Sequence, residues 1–169
     1  MALSIRPYRL SDLEDLALHA NSTAVATRLR DSFPNPYTLE HARYWIKSCL
    51  EDNLPDVWRW GICLDDRIIG GIGAMRDQDI HRFNAEIGYW LNEAYWQQGY
   101  ATQALQQATE WLFFTTDLRR LYAGVMSSNQ ASMRVLEKVG YCLESIRKES
   151  AFKNGSFWDE HYFVKFRPV

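Results

Sequence analysis

Polar and apolar positions along the chain change period several times, and each change marks an element. "LSIRPYRL" predicts a short opening strand. "SDLE", from Ser11 to Glu14, has capping-box spacing and predicts a helix that starts there and runs to about Asn21. "DSFPNPYT" is broken by prolines and reads as a loop, after which Thr38 caps a second helix. In that helix Leu39, Ala42, Tyr44, Trp45, Ile46 and Cys49 keep roughly helical spacing. Three strand-like runs follow, "VWRWGICL", "RIIGGIGAM" and "NAEIGYWL", with a "DD" hairpin signal between the first two. The strongest periodic signal comes after Gly99, where Ala101, Ala104, Leu105, Ala108 and Leu112 fall on one helical face. "RLYAGVM" then predicts a buried strand, and "NQASMRVLEKVGY" a helix with Gly140 at C′. "YCLESIRKESAF" and "FWDEHYFVKF" alternate around the turn "KNGS" and predict a closing hairpin.

The resulting order, β-α-α-β-β-β-α-β-α-β-β, predicts an α/β fold on a mixed sheet (α+β in arrangement). The β-α-β unit around Gly99 is expected to be parallel and right-handed. With 169 residues and no linker or repeat, the expectation is a single domain over 1–169. A net charge of −2 offers no overall basic surface, so no nucleic-acid partner is expected. Cys49, Cys63 and Cys142 are scattered and read as reduced thiols, Cys63 and Cys142 as buried, inert strand residues. The histidines lack ligand spacing, so no metal is expected. Without a signal-like N-terminus or a long apolar run, the expected location is cytoplasmic, with no membrane contact.

Gly99 raises the chemical question. Helix N-termini leave unpaired N–H groups and carry partial positive charge, so they attract anions, phosphate above all. In "WQQGYATQ" no side chain takes the cap until Thr102. Two readings fit: a tight strand-to-helix turn, or a cradle for an external anion. The P-loop pattern is absent. "GGIGAM" at Gly70 to Met75 lacks the third glycine of a dinucleotide loop, and its glycines read as flat strand positions beside a close-packed neighbour.

Four stretches in this order resemble the GNAT superfamily of acetyl-CoA-dependent N-acetyltransferases, and within it the RimJ/RimL branch. They are "RPYRLSDLEDL", "NPYTLEHARYWI", "AEIGYWLNEAYWQQGYATQAL" and "SSNQASMRVLEKVGY". The resemblance implies that the turn at Gln97, Gln98, Gly99, Tyr100, Ala101 and Thr102 holds the pyrophosphate of acetyl-CoA. Trp96 stands where the wider superfamily has Gln or Arg. The resemblance further implies that the fourth and fifth strands splay, so that the pantetheine arm pairs with the open edge at Trp90 and Leu91. Asn129 resembles the asparagine that contacts the same arm. The dipole contributes about 0.3–2 kcal/mol, against about 8 for micromolar affinity, so the whole cofactor must be bound.

Acetyl transfer to an amine needs a neutral amine, a donor for the developing oxyanion and help for the leaving thiolate. Glu86, a lone carboxylate in an apolar strand, is the expected base, unless it is a structural ion pair. Glu160, Asp159 and Glu144 stand in reserve. The family's tyrosine acid falls on Leu136; Ser132 matches the serine that this branch places against the sulfur, and Tyr141 is expected to pack in the sheet. The oxyanion donor is expected to be a backbone N–H near Leu91. Asp31, Glu40, Phe33 and Tyr37 form either an acceptor mouth or a solvated loop. The expected activity is direct acetyl transfer to a primary amine, on a protein N-terminus or a small molecule, by a monomer or homodimer. The rival is a non-catalytic acyl-CoA-binding module of the same fold.

Overall fold

The computed structural model describes residues 2–52 and 54–168. Its strands are β1 (Leu3–Arg6), β2 (Val57–Leu64), β3 (Arg67–Arg76), β4 (Asn84–Leu91), β5 (Arg120–Met126), β6 (Cys142–Lys153) and β7 (Ser156–Phe166). They form one mixed sheet in the order β1-β2-β3-β4-β5-β7-β6. The helices are α1 (Leu13–Ala20), α2 (Thr23–Ala26), α3 (Leu39–Glu51), α4 (Tyr100–Thr115) and α5 (Gln130–Lys138). Among the described residues no helix is long and apolar enough to cross a membrane.

Local chemistry explains most boundaries. In the β2–β3 turn Asp65 and Asp66 both take positive φ, at 47° and 66°. In the β6–β7 turn Asn154 and Gly155 do the same, at 54° and 77°. That conformation matches the right-handed twist of the flanking strands. At the end of α5, Gly140 has φ 87°, its N–H bonds to Glu137 O, and the N–H of Tyr141 reaches back to Leu136 O. This pair of bonds is a Schellman motif, as the glycine predicted.

The first helix begins differently from its sequence signal. Ser11 is not the cap; Leu10–Asp12 form a 3₁₀ turn and α1 follows from Leu13. Asp12 takes the capping role, its carboxylate accepting the Arg9 N–H at 2.7 Å. The reason is Arg6, whose guanidinium grips both Asp12 oxygens at 2.8 Å and draws the carboxylate inward to 4% exposure. The four-residue α2, capped by Ser22, was too short to leave a periodic trace.

Each face of the sheet carries a core. On one, α4 and α5 cover Ile62, Ile72, Ile87, Leu121 and Phe163. Ala104, Leu105, Ala108 and Leu112 of α4 are fully buried there, and the alanines let the helix lie close to the strands. On the other face α1 and α3 bury Leu16, Ala42 and Ile46 against Tyr8, Cys63 and Ile68. Leu39 and Tyr44 of α3 turn outward, so that helix buries a narrower stripe than its sequence suggests. Gly70 and Gly71 lie in β3, as flat strand positions should. A Cβ on Gly71 would meet Trp90 Nε1 at 2.6 Å and Tyr8 Oη at 2.7 Å. Cys63 is buried, which pushes its thiol up to about 11. Cys142, by contrast, is exposed: it lies on the edge strand β6, whose residues 142–150 are uncovered.

β4 and β5 are parallel neighbours over a short stretch, Asn84↔Arg120, Ala85↔Leu121 and Glu86↔Tyr122. Beyond Glu86, β4 stays with β3 as far as Gly70↔Leu91, while β5 stays with β7 as far as Met126↔Glu160. A wedge therefore opens in the middle of the sheet.

The assignment of α4's buried face is testable by equilibrium urea unfolding. Leu105→Ala, at a fully buried site, should cost about 2–5 kcal/mol. Phe114→Ala, at 91% exposure on the same helix, should stay within about 0.5 kcal/mol of the parent. Equal losses would mean that the helix is rotated from this description.

Candidate functional site

The wedge is the floor of a cleft of about 770 Å³. Strand alternation decides what it presents. Asn84 O accepts from Asp77 N–H, and Asn92 N–H donates to Ile69 O, so the even-numbered peptides of β4 face β3. The odd-numbered ones, at Ile87, Tyr89 and Leu91, therefore face the opening. Leu91 O is already taken by Trp96 Nε1 at 2.7 Å. The peptide of Trp90 pairs toward Gly71, and its indole joins the core on the α1–α3 face. Of the two edge residues expected from the sequence, Leu91 thus lies toward the gap and Trp90 toward β3.

The chain leaves β4 at Leu91 and reaches the N-terminus of α4 through Asn92 to Gly99, a loop tied back to the strand end by Trp96. Gly99 has φ 80° and ψ −2°, the left-handed region that favours glycine, and no side chain caps the helix. The first helical bond runs from Gln103 N–H to Gly99 O, leaving the amides of Tyr100, Ala101 and Thr102 outside the helical ladder. A left-handed residue followed by a helical one also turns successive N–H groups toward a common point, an arrangement that suits an anion. A Cβ at position 99 would find nothing nearer than Gln103 Nε2 at 3.9 Å, so the space above the turn is open. Gln97 is left-handed as well, at φ 61°, and Gln98 Nε2 braces the turn on Ala94 O at 3.1 Å. Trp96, the departure from the usual motif, staples this loop to the end of β4, and Arg28 covers its ring at 4.7 Å. These groups fit a diphosphate: open amides, a glycine turn and room for the ligand.

The opposite wall comes from the loop after α2 and the tip of the β6–β7 hairpin. Arg30 pairs with Glu86 at 2.5 Å, and Lys153 of the hairpin pairs with Asp31 at 2.6 Å. Asn154 Nδ2 also reaches Thr27 O at 3.3 Å. Behind them Phe33 packs 5.3 Å from Tyr37 and 5.7 Å from Trp90, ring centre to ring centre. Burial pushes the Tyr37 phenol up to about 12. Glu40 sits exposed on the first turn of α3, outside the cleft lining.

Glu86 occupies the last shared rung of β4 and β5, at the apex of the wedge, with its side chain 26% exposed. Its charge holds the Arg30 guanidinium more firmly protonated. Glu160 also lines the cleft and accepts from Ser150 Oγ at 2.9 Å. Asp159 is held by Lys148 and by the Glu149 N–H, which keep its carboxyl below the usual range, and Glu144 pairs with Arg120. On the α5 side, Asn129 caps the helix through Oδ1, which accepts the Ser132 N–H at 3.3 Å. Ser132 Oγ lies 2.8 Å from the hydroxyl of Tyr89. Leu136 is buried in the core. Tyr141 is buried too, with its hydroxyl 2.8 Å from Thr109 Oγ1. Tyr89 is the cleft hydroxyl that sequence reasoning missed; strand parity alone would have aimed its side chain at α5.

A family model described as "Acetyltransferase (GNAT) domain" matches residues 2–141. The chain is 31% identical to a probable N-acetyltransferase, YjcK of Bacillus subtilis (strain 168), over 93% of its own length and 89% of that protein's. Its fold is that of RimL, a ribosomal-protein α-N-acetyltransferase solved in complex with coenzyme A. The TM-score is 0.87 at 23% identity, with 98% of this chain and 94% of the other covered. The spermidine N-acetyltransferase of Vibrio cholerae, solved with CoA and spermine, gives 0.80 at 20% identity, covering 98% and 95%. With a parted β4 and β5, an uncapped glycine turn at the start of α4 and a family match across most of its length, the chain belongs to the GNAT acetyltransferases and is an N-acetyltransferase.

Proposed function

We propose that this enzyme acetylates α-amines, at the N-terminus of a peptide or protein, with acetyl-CoA as donor. One observation carries the choice of acceptor: the carboxylates on the acceptor wall are engaged. Glu86 is paired with Arg30, Asp31 with Lys153, and Glu160 with Ser150. A polycation would have to displace Arg30 and Lys153 to reach the charges of Glu86 and Asp31. How much a general base contributes depends on the acceptor. An α-amine, with pKa about 7.7–8, is a tenth or more neutral near pH 7 and needs little from it. A lysine-like amine, near about 10.4, is neutral to roughly one part in a thousand and needs much more. The aromatic wall of Phe33, Tyr37 and Trp90 suits the first side chains of a peptide.

When bound, acetyl-CoA supplies an acetyl group activated as a thioester. In this reading the amides of Gln98 to Thr102, with Gln97 shaping the turn, hold its pyrophosphate. The open peptides of Tyr89 and Leu91 pair with the pantetheine arm, and one of their N–H groups serves the carbonyl oxygen. Asn129 keeps its Nδ2 as a donor to the same arm. Ser132 hydrogen-bonds the sulfur, and Glu86 receives the amine proton through water. The residues present fit the donor on two independent counts, the open cradle at Gly99 and the unpaired edge of β4.

Two measurements test this reading. Gly99→Glu adds bulk and a negative charge where a diphosphate would lie, in space that the protein itself leaves open. By titration calorimetry it should lose CoA affinity by at least tenfold while its circular dichroism stays that of the parent; undiminished binding would contradict the cradle. Glu86→Gln separates the acceptor classes through pH. Free amine becomes commoner as pH rises, so loss of a base should matter most at low pH and fade toward pH 9. For a peptide α-amine the loss in kcat/KM at pH 7 should be small, about tenfold or less. For spermidine or a lysine side chain it should be larger, and wild-type turnover of either should fall well below that of a peptide N-terminus. Preferred turnover of polyamines would overturn the α-amine assignment.

A further inference from the structure

Tyr89 lies within the stretch "AEIGYWL", where sequence reasoning assigns its hydroxyl no role, yet the residue lines the cleft. Along β4, Ile87, Tyr89 and Leu91 point toward α4 and α5, while Trp90 joins the opposite core. Tyr89 Oη stands 2.8 Å from Ser132 Oγ and 3.2 Å from Ser132 O. β4 forms one arm of the wedge, and α5 follows directly from β5, the other arm. The contact therefore bridges the opening, and it does so at the residue whose peptide faces the same gap.

Ser132 is constrained at two atoms, its N–H by Asn129 Oδ1 and its Oγ by Tyr89. A hydroxyl has one proton to give and two lone pairs to receive with. If the phenol donates to Oγ, the serine proton is free to point into the cleft. If the phenol donates to the Ser132 carbonyl instead, the serine proton is absorbed by the phenol oxygen. Burial pushes the Tyr89 phenol well above its ordinary range, so it remains a protonated donor throughout the working range of pH. Tyr141 is committed to Thr109, and the usual helix position, residue 136, is leucine.

We propose that Tyr89 is a positioning residue that acts through Ser132, donating to Oγ and so turning the serine proton toward the departing sulfur. In the transfer the amine nitrogen forms the C–N bond, and the C–S bond breaks with its electron pair going to sulfur. One amine proton leaves through water to Glu86. The serine gives the sulfur a hydrogen bond, and the bond it receives from Tyr89 polarises that hydroxyl and strengthens the one it gives. The inference rests on Ser132 serving the sulfur, as in the function proposed above.

The test is a double-mutant cycle of Tyr89→Phe and Ser132→Ala, with kcat and KM for acetyl-CoA measured separately on a peptide acceptor. The phenylalanine keeps the ring and its packing. Tyr89→Phe should lower kcat about tenfold, the worth of one good hydrogen bond, and change KM less than about twofold. In the Ser132→Ala background the same substitution should cost nothing further. A Ser132→Ala enzyme with parental kcat would remove the sulfur role of Ser132 and the inference with it. A slow Ser132→Ala enzyme with a silent Tyr89→Phe would overturn the tyrosine alone. So would a loss from Tyr89→Phe of equal size in both backgrounds, which is the behaviour of a strut that merely holds the arms apart.

Discussion

Everything in the site depends on two neighbouring strands that stop sharing hydrogen bonds. β4 and β5 pair through Glu86↔Tyr122 and then follow different partners, β4 along β3 and β5 along β7. A sheet interrupted at its centre leaves peptide groups without partners, and buried peptide groups demand them. The end of β4 is partly repaired by Trp96, whose indole takes Leu91 O. The peptides at Tyr89 and Leu91 still present donors to the gap, and an extended chain entering it completes the ladder. The glycines of β3 contribute from behind: Gly71 leaves room for the Trp90 indole, so β4 keeps close to β3 while departing from β5.

The same departure aims α4. The chain leaves β4 at Leu91 and must turn through Asn92 to Gly99 before the helix starts. Side chains brace that turn: Asn92 Oδ1 accepts from Ala94 N–H, Gln98 reaches Ala94 O, and Glu93 pairs with Ser22 at the cap of α2. The helix N-terminus is thus fixed by the loop rather than capped by it, and its amides remain available. Across the cleft the opposite condition holds. The loop after α2 is tied to β4 by Arg30–Glu86 and to the hairpin by Lys153–Asp31, and Arg30 and Asp31 are largely exposed. Such pairs contribute about 0–1 kcal/mol each and weaken with salt. In the proposed reading the donor side is built from backbone geometry, and the acceptor side from contacts that a substrate can exchange for its own.

The order of elements was legible because each signal was local. Alternation marked β2, β3 and β4, one buried stripe marked α4, and Gly140 marked the end of α5. What misled was also local, in that a distant partner outweighed it. Ser11 had the spacing of a cap, but Arg6 recruited Asp12. Cys142 sat in an apolar run, but β6 proved to be an edge that no helix covers. The uncapped turn at Gly99 could be read, as either a tight turn or a cradle, because one glycine in front of a periodic helix is a short-range pattern. Tyr89 could not, because its partner lies 43 residues away and only the folding of α5 over β4 brings the hydroxyls together. The pairing of Asp31 with Lys153, 122 residues apart, was hidden for the same reason, which is why the loop read as either an acceptor mouth or a solvated loop.

The central claim is that the donor lies in the wedge, with its diphosphate on the N-terminus of α4 and its arm along β4. Backbone amide shifts recorded during a CoA titration of ¹⁵N-labelled protein test it most directly. The account predicts that the largest changes fall on the amides of Gln98 to Thr102 and of Tyr89 and Leu91, with those of Cys142 to Arg147 in the edge strand β6 unmoved. Changes concentrated on β6 or on the outer face of α3, with the Gly99 turn silent, would contradict it.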